Sequence, residues 1–263
     1  MPFEESGGLR FFRFDIFPAN EVIHGIFTRQ GGASPIPWDT LNLGGTVGDE
    51  RQNVIENRRR MFAALGRKVE SIYDVWQVHS KDVICTNKPR PLEQAHLEAD
   101  AILTDREIVT LAMRFADCVP IMLFDPVKKV VGLVHAGWQG TVNRIASEAV
   151  HTMLREYHCN PADILAGIGP SIGPDHYEFE GEATERVVVS FPDHFRELLI
   201  QVNGHTHLDL WRANEMVLKD VGVNQIEIAR ICTACNLQDW YSHRGEKGKT
   251  GRFGTIIALR ERE

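Results

Sequence analysis

The segment between residues 116 and 141, ADCVPIMLFDPVKKVVGLVHAGWQGT, constrains the fold more than any other part of the chain. It contains two continuous apolar runs, Val119–Phe124 and Val130–Val134, separated by an Asp-Pro step. Short apolar runs of this kind are typical of buried β-strands, and the Asp-Pro step indicates a turn. We therefore predict a buried β-hairpin that carries Cys118 and His135 at the same open end.

The rest of the chain mixes strand patterns with amphipathic helices. Thr141–Tyr157 is the clearest predicted helix, because its apolar residues recur at intervals of three to five. A Gly-, Pro- and Asn-rich loop from Gln30 to Gly48 precedes a helix that runs from its predicted N-cap, Asp49, to about Leu65. The other predicted helices are Glu182–Ser190 and Trp211–Val221, and the other predicted strands are Val22–Arg29, Ile72–His79, Val83–Thr86, Ala101–Thr104, Ile108–Ala112, Ile164–Ile168, Ile226–Arg230 and Phe253–Leu259. This order predicts an α/β (α+β) layered fold in a single domain, residues 1–263.

Composition limits the classes of function. The 263 residues are 43% hydrophobic and 25% charged, as in ordinary globular proteins, and can bury a sizeable core. The net charge of −7 argues against general nucleic-acid binding, although a local basic loop can still hold a small anion. We find no signal-peptide pattern and no run approaching the roughly 18 apolar residues of a membrane span. Five cysteines are too few for a disulfide framework, so we expect a cytoplasmic protein with free thiols.

Cys118 and His135 together suggest a catalytic or metal-binding site. A lone cysteine is most often a small buried apolar residue, but the hairpin brings this thiol and imidazole within contact range. They fit either a nucleophile activated by a base or a pair of ligands that favour zinc. His79, at the end of another apolar run, would complete a His/Cys/His set. Three protein ligands with an open position are typical of catalytic zinc, and spacing alone leaves both interpretations open.

Two further motifs contain potential metal ligands. Cys232-Thr-Ala-Cys235 resembles half of a zinc ribbon or a redox motif. Because the chain has no second Cys-x-x-Cys, we predict that these cysteines are structural. His205-Thr-His207 lies on a predicted strand, where alternate residues share a face, so we expect both histidines to face solvent.

A glycine-rich basic segment, SHRGEKGKTGR, spans residues 242–252. Its glycines let backbone N–H groups point at an anion, and Arg244, Lys247 and Lys249 would supply positive charge. A solvated basic loop is the alternative. Asn42, in TLNLGG, could offer a polar contact to substrate or stabilise its own loop.

Ten motifs occur in a characteristic order between about His24 and Leu259. They are HGIFTRQGG, LNLGGTVGDE, ENRRR, QVHSKDV, ADAILTD, ADCVPIMLFD, VGLVHAGWQGT, GIGPSIGP, CTAC and YSHRGEKGKTGR. The chain thereby resembles the multicopper polyphenol oxidase (laccase) domain family, whose members are also described as purine nucleoside phosphorylases with adenosine deaminase activity. The resemblance implies a catalytic metal site at His79, Cys118 and His135. It also implies an α-β-β-α sandwich, similar to that of bacterial cysteine deamidase toxins.

The chain departs from this family pattern at a few positions. Thr46 stands where a histidine is usual, and Ser171 replaces a small residue or a cysteine. Asp175-His176 replaces a frequent Cys-Cys pair, and Gly245 stands where an arginine often follows Arg244. We expect these changes to affect substrate preference and not the metal trio.

The leading hypothesis is therefore a metal-dependent purine nucleoside enzyme with zinc, or alternatively copper, as its cofactor. It would cleave adenosine, inosine and methylthioadenosine with phosphate, which the basic loop would hold, and would deaminate adenosine with water activated by zinc. Copper-dependent polyphenol oxidation is a weaker alternative, because the eleven histidines include a single His-x-His unit. A metal-free Cys–His hydrolase or deamidase and a metal-carrying binding module are the others. Expected partners are a purine nucleoside and phosphate, with no nucleic acid and no membrane.

Overall fold

Two six-stranded β-sheets packed face to face form the centre of the protein, in a computed structural model that describes residues 3–261. Within that range the strands are β1 (Phe3–Ser6), β2 (Leu9–Phe12), β3 (Val22–Phe27), β4 (Ile72–Asp74), β5 (Val83–Cys85), β6 (Ala101–Thr104), β7 (Thr110–Phe115), β8 (Val119–Asp125), β9 (Val130–Ala136), β10 (Leu165–Ile168), β11 (Leu199–Val202), β12 (His205–Leu208), β13 (Gln225–Ile228) and β14 (Phe253–Leu259). The α-helices are α1 (Arg51–Ala64), α2 (Trp138–Val142), α3 (Ile145–Tyr157), α4 (Glu182–Ser190), α5 (Phe195–Leu198) and α6 (Leu210–Asp220).

The strand order brings distant parts of the sequence together. The first sheet has the order β1-β2-β3-β14-β7-β4, and the second has the order β13-β10-β8-β9-β6-β5. Most neighbours are antiparallel, with parallel pairs at β4–β7, β5–β6 and β10–β13. Strands β11 and β12 form a separate hairpin.

Three layers of apolar side chains hold the sheets and helices together. Phe12, Met113 and Phe124 belong to the layer between the two sheets. Helices α3 and α6 pack on the outer face of the second sheet, and α1 packs its Met61 and Phe62 on the outer face of the first. The predicted α-β-β-α sandwich is therefore confirmed.

The predicted central hairpin is also confirmed. Strands β8 and β9 are buried along their whole length, because helices cover one face and the other sheet covers the second. Their register pairs Val119 with Ala136 and Asp125 with Val130. Cys118 precedes one strand and His135 lies near the end of the other, so both stand at the open end, as predicted.

Several predicted boundaries are wrong, each for a local reason. The helix predicted over Thr141–Tyr157 is divided into α2 and α3, because Arg144 adopts a left-handed conformation with φ of 60°. The strand predicted over Ile72–His79 ends at Asp74. The N-cap of α1 is Glu50, and Asp49 instead accepts hydrogen bonds from the Ser34 hydroxyl and other groups of the preceding loop.

The prediction that both histidines of His205-Thr-His207 face solvent is wrong for one of them. The strand exists as β12, and His205 is exposed. His207 is buried, and its Nδ1 lies 2.8 Å from the Pro174 carbonyl oxygen. Within residues 3–261, no helix is long and apolar enough to cross a membrane.

Candidate active site

Three side chains from separate parts of the sequence, His79, Cys118 and His135, meet at the open end of the central hairpin. Their ligand atoms lie within 4.8 Å of one another, and Cys118 Sγ is 3.8 Å from His79 Nε2. The two imidazole rings are 4.9 Å apart between centroids. One thiol and two imidazoles form a donor set that suits zinc or copper.

Each member of this trio is placed by a different piece of backbone. Cys118 lies in the crossover from β7 in the first sheet to β8 in the second, and His135 belongs to β9. His79 follows β4 in a loop, where it adopts a left-handed conformation with φ of 61°. The trio therefore forms where the two sheets meet.

Asp100 orients two of the three members. Its carboxylate is buried and accepts a 2.7 Å hydrogen bond from His135 Nδ1 through one oxygen. Its other oxygen accepts from the backbone N–H groups of Val78 and Ser80, on either side of His79. A carboxylate behind a histidine commonly fixes the ring so that the other nitrogen can bind a metal. Asp100 lies within the ADAILTD motif, but its role depends on a contact with His135 that the sequence does not reveal.

The electrostatics of the trio favour a thiolate. Burial by itself would raise the pKa of Cys118, but the neighbouring His135 and His79 lower it to about 6. Burial by itself would lower the pKa of His135, but Cys118 and Asp100 raise it to about 9. A thiolate is the form of cysteine that binds metals and also the form that acts as a nucleophile.

Gly137 leaves the space in which the three ligands converge. A Cβ atom on this residue would lie 2.8 Å from His79 Cδ2 and 3.0 Å from Cys118 Sγ. The donor set, the carboxylate behind His135 and this open approach together fit a bound metal ion. His79, Cys118 and His135 are the residues that would hold it.

A cavity of about 430 Å³ opens beside the trio. His79 and His135 line it, and three arginines, Arg58, Arg114 and Arg252, face the same space. A larger surface cavity of about 750 Å³ lies elsewhere and is lined by no histidine or cysteine of the described residues. The smaller cavity therefore combines potential metal ligands with positive charge.

The three arginines differ in how far they are neutralised. Arg114 donates to the Val75 carbonyl and lies 3.8 Å from the Asp74 carboxylate. Arg252 donates from Nη1 to two neighbouring carbonyl groups. Among residues 3–261, no hydrogen bond or ion pair engages the guanidinium of Arg58, whereas its neighbour Arg59 pairs with Glu56. Arg58 is thus the most available cation in the cavity.

The predicted anion-binding residues Arg244, Lys247 and Lys249 do not line this cavity. Arg244 donates from Nη1 to the Glu178 carbonyl, and its guanidinium lies 5.2 Å from the Tyr177 ring centroid. Lys247 and Lys249 are exposed. Of the basic segment, the structure brings only Arg252 to the cavity wall.

Asn42 supports that wall from behind. Its side chain is fully buried, and Nδ2 donates to the Asp49 carboxylate over 2.9 Å. Its Oδ1 accepts from the backbone N–H groups of Gly44 and Arg252. The residue therefore fixes the loop and the start of the last strand, and its amide has no free side toward a substrate.

A second group of potential ligands lies at the motif Cys232-Thr-Ala-Cys235. No second Cys-x-x-Cys exists, but the structure brings Asp175 and His176 against the two thiols. In the sequence, this Asp-His pair is only a departure from the family pattern. A third group, Glu178, Glu180 and His205, is fully exposed.

Comparison with known proteins places the chain in a family. Residues 23–260 match the family model described as multi-copper polyphenol oxidoreductase laccase. The chain belongs to this family. A relative from Bacillus subtilis, named purine nucleoside phosphorylase YlmD, is 34% identical over 249 residues, covering 92% of this chain and 90% of the relative. A purine nucleoside phosphorylase from Deinococcus radiodurans is 37% identical over 247 residues, covering 94% of this chain and 92% of the relative.

The fold also matches a solved structure. The crystal structure of YlmD from Geobacillus stearothermophilus superposes with a TM-score of 0.92 at 34% sequence identity, covering 99% of each chain. The family resemblance inferred from the sequence motifs is therefore confirmed.

Proposed function

We propose that the protein is a metal-dependent purine nucleoside phosphorylase. The observation that carries this proposal is the cavity beside the trio, which two of its members, His79 and His135, line together with three arginines. The names of the similar proteins support the same reaction class. The cavity volume of about 430 Å³ falls in the range of roughly 300–1,000 Å³ that is usual for small-molecule sites.

Arg58 and Arg252 are proposed to bind phosphate. A guanidinium presents a planar fork of N–H donors that matches two phosphate oxygens. Arg58 interacts with the Asp74 carboxylate only at longer range and makes no hydrogen bond or close ion pair among the described residues. Arg252 is anchored through its backbone to Asn42. Arg114 adds positive charge from a fixed position behind them.

The nucleoside would occupy the remainder of the cavity. Trp76 lines the cavity and is 44% exposed, so its aromatic ring is available to a purine. The loop 44–47 also lines the cavity, and the backbone of Gly44 and Gly45 allows close approach there. Thr46 lies in this loop at the position where the family usually has histidine, so it is a candidate determinant of substrate preference.

In phosphorolysis, a phosphate oxygen attacks the anomeric carbon of the ribose while the bond to the purine nitrogen breaks. The purine leaves with that electron pair and takes up a proton. A metal held by the trio would supply Lewis-acid stabilisation of developing negative charge. The protein's own residues orient the phosphate, and Asp100 keeps His135 in its required orientation.

Adenosine, inosine and methylthioadenosine are the proposed substrates, with zinc as the proposed metal and copper as the alternative. Adenosine deamination is a proposed second activity of the same cavity. Water attacks the purine carbon that bears the amine, the carbon–nitrogen bond breaks and ammonia leaves. The reaction consumes no phosphate, so it depends less on the arginines.

A cysteine hydrolase is the second candidate function. The lowered pKa of Cys118, the raised pKa of His135 and the carboxylate of Asp100 favour it. These three groups have the arrangement of a nucleophile, a base and a group that orients the base. The two proposals differ in their need for metal.

Arg58→Ala tests the proposed phosphate site, with Arg59→Ala as its matched control on the same helix. Loss of a charge-assisted contact costs about 1.5–3 kcal/mol, or about one to two decades in phosphorolysis efficiency. We expect inosine phosphorolysis, followed against phosphate concentration, to show a raised KM for phosphate. Adenosine deamination should change much less, and Arg59→Ala should leave both reactions unchanged because Arg59 pairs with Glu56 on the exposed face.

Equal losses in the two reactions would mean that Arg58 serves the nucleoside or the fold. An unchanged phosphate dependence in Arg58→Ala, together with a weakened one in Arg244→Ala, would return the phosphate site to the loop 242–252. Absence of phosphorolysis of every purine nucleoside by zinc-loaded protein would contradict the proposed function.

A further inference from the structure

Four potential ligands from two separate turns converge at a second place in the molecule. Asp175 and His176 belong to one turn, and Cys232 and Cys235 belong to the other, almost sixty residues later. Their ligand atoms all lie within 4.8 Å of one another. None of these atoms belongs to the trio or to the arginine-lined cavity.

The distances between these atoms are close to the edges of a metal tetrahedron. Zinc bonds of about 2.0–2.3 Å to oxygen, nitrogen and sulfur give ligand–ligand edges of about 3.3–3.8 Å in tetrahedral geometry. His176 Nδ1 lies 3.4 Å from Cys235 Sγ and 3.9 Å from Cys232 Sγ. Asp175 Oδ2 lies 3.2 Å from Cys235 Sγ and 3.0 Å from His176 Nδ1.

Hydrogen bonds to backbone groups fix the conformation of both turns and the positions of their ligand side chains. Cys232 is buried, and its Sγ accepts a hydrogen bond from the Gly173 N–H over 3.2 Å. The Gly173 carbonyl in turn accepts from the N–H of His176. Asn236 closes the other turn by donating from Nδ2 to the Cys232 carbonyl. Such contacts around a thiolate orient it for a metal.

We propose that Asp175, His176, Cys232 and Cys235 bind a second metal ion of the zinc class. Two thiols, one imidazole and one carboxylate fill four positions, which is the closed set of a structural site. The trio, in contrast, has three ligands and leaves a position for substrate. The second ion would join turn 173–176 to turn 232–235.

The second site lies close to the candidate active site. Thr233 donates from its hydroxyl to the Asp117 carboxylate over 2.7 Å, and the Ile172 N–H donates to the Asp117 carbonyl. Asp117 directly precedes Cys118 and itself adopts a left-handed conformation with φ of 80°. A metal that fixes both turns would therefore stabilise the backbone that presents Cys118.

Metal content of purified, zinc-reconstituted protein tests the proposal. We expect about two zinc ions per chain in wild type and about one in the Cys232→Ser, Cys235→Ser double variant. His79→Ala, His135→Ala should also retain about one, and the combination of all four substitutions should retain none. Cobalt substitution gives an independent readout, because thiolate-to-cobalt charge-transfer absorption should persist in the trio variant and disappear from the quadruple variant.

A milder variant covers the case in which the double cysteine variant does not fold. His176→Ala removes one ligand that is largely exposed, and it should weaken zinc binding at the second site. His205→Ala is its matched control, since His205 is also an exposed histidine beside carboxylates but belongs to the separate cluster with Glu178 and Glu180.

Three results would overturn the proposal. The first is a single zinc in wild type that the trio variant removes completely. The second is a second zinc lost from His205→Ala and retained by His176→Ala. The third is a Cys232–Cys235 disulfide, detected by mass spectrometry, in protein reconstituted with zinc under reducing conditions.

Discussion

At the scale of single residues, one carboxylate connects the ligands of the candidate metal site. Asp100 accepts from His135 through one oxygen and from the backbone around His79 through the other. Both histidines consequently depend on a buried residue that does not line the cavity. Loss of an outer partner of this kind typically weakens metal binding about 10–100-fold.

Gly137→Ala should push His79 and Cys118 out of their positions in the trio without disturbing the fold. The φ of Gly137 is −70°, which alanine adopts freely, but the added Cβ would meet His79 and Cys118. We expect loss of the zinc held by the trio, from about two zinc ions per chain to about one, and loss of phosphorolysis, measured by metal analysis and by inosine turnover. The melting temperature of the metal-free protein should remain close to that of metal-free wild type.

Gly45→Ala is the matched control for this substitution. Gly45 lies in a loop of the same cavity, and a Cβ there has no atom within 4 Å. It should keep the zinc of the trio, because the added methyl group meets none of the three ligands. Normal zinc content in Gly137→Ala would show that the trio can relax around a methyl group and that the glycine has another purpose.

The three ligands of the trio can be identified from the sequence, but the residues that line the cavity beside them cannot. His79, Cys118 and His135 lie in motifs whose family resemblance names them, and Cys118 and His135 also follow from the hairpin. Arg58 falls on the same helical stripe as the apolar residues Met61 and Phe62, but the sequence does not show that this stripe borders a cavity. Its place in the cavity depends on how α1 packs on the first sheet, which local patterns do not encode.

At the scale of elements, apolar patterns predicted the strands that are buried on both faces. They missed element boundaries that depend on the backbone conformation of a single residue. The hairpin β8–β9 followed from its two apolar runs because both faces are covered. The break between α2 and α3 comes from one left-handed residue, Arg144, whose side chain gives no signal of it. Strand β1, with the sequence FEES, has no apolar run and no buried residue, so nothing in its pattern indicated a strand.

Strand β3 contains a group that should make stability depend on pH. His24 is buried among Phe14 and Phe17, and its Nε2 accepts a hydrogen bond from the Phe14 N–H. Burial, assisted by the charge of Arg13, lowers its pKa from 6.5 to about 3. The folded protein therefore holds this imidazole neutral where the unfolded chain binds a proton.

The sign of the pH effect follows from that difference. His24 contributes its full stability above pH 6.5, and the contribution is lost as pH falls toward about 3. We expect His24→Gln to flatten the decline in the free energy of unfolding over this range by a few kcal/mol, at 1.36 kcal/mol per pKa unit. Urea unfolding at several pH values measures it.

His151→Gln is the control for this prediction, because His151 is exposed on α3. It should leave the pH dependence unchanged. If His24→Gln and wild type lost stability in parallel between pH 6.5 and 4, protonation of His24 would not oppose folding.

At the scale of the whole molecule, the candidate site lies at the rim where the two sheets meet. His79 and Arg252 adjoin strands of the first sheet, His135 belongs to the second, and Cys118 lies on the crossover between them. The sandwich core is continuous without any metal, because three apolar layers join the sheets and helices. Metal binding should therefore depend on a fold that already exists.

Exhaustive chelation should consequently abolish turnover and leave the protein folded. Circular dichroism should stay native and the thermal transition cooperative. An ion present at 100 times its Kd stabilises the native state by about 2.7 kcal/mol, and each kcal/mol corresponds to roughly 2–4 °C at this size. We therefore expect the melting temperature to fall by about 5–10 °C for each site emptied, and zinc to restore both temperature and phosphorolysis. Full activity after chelation would contradict the need for metal and favour the metal-free cysteine hydrolase. Unfolding on chelation would mean that the apolar layers alone do not stabilise the sandwich and that the metal is required.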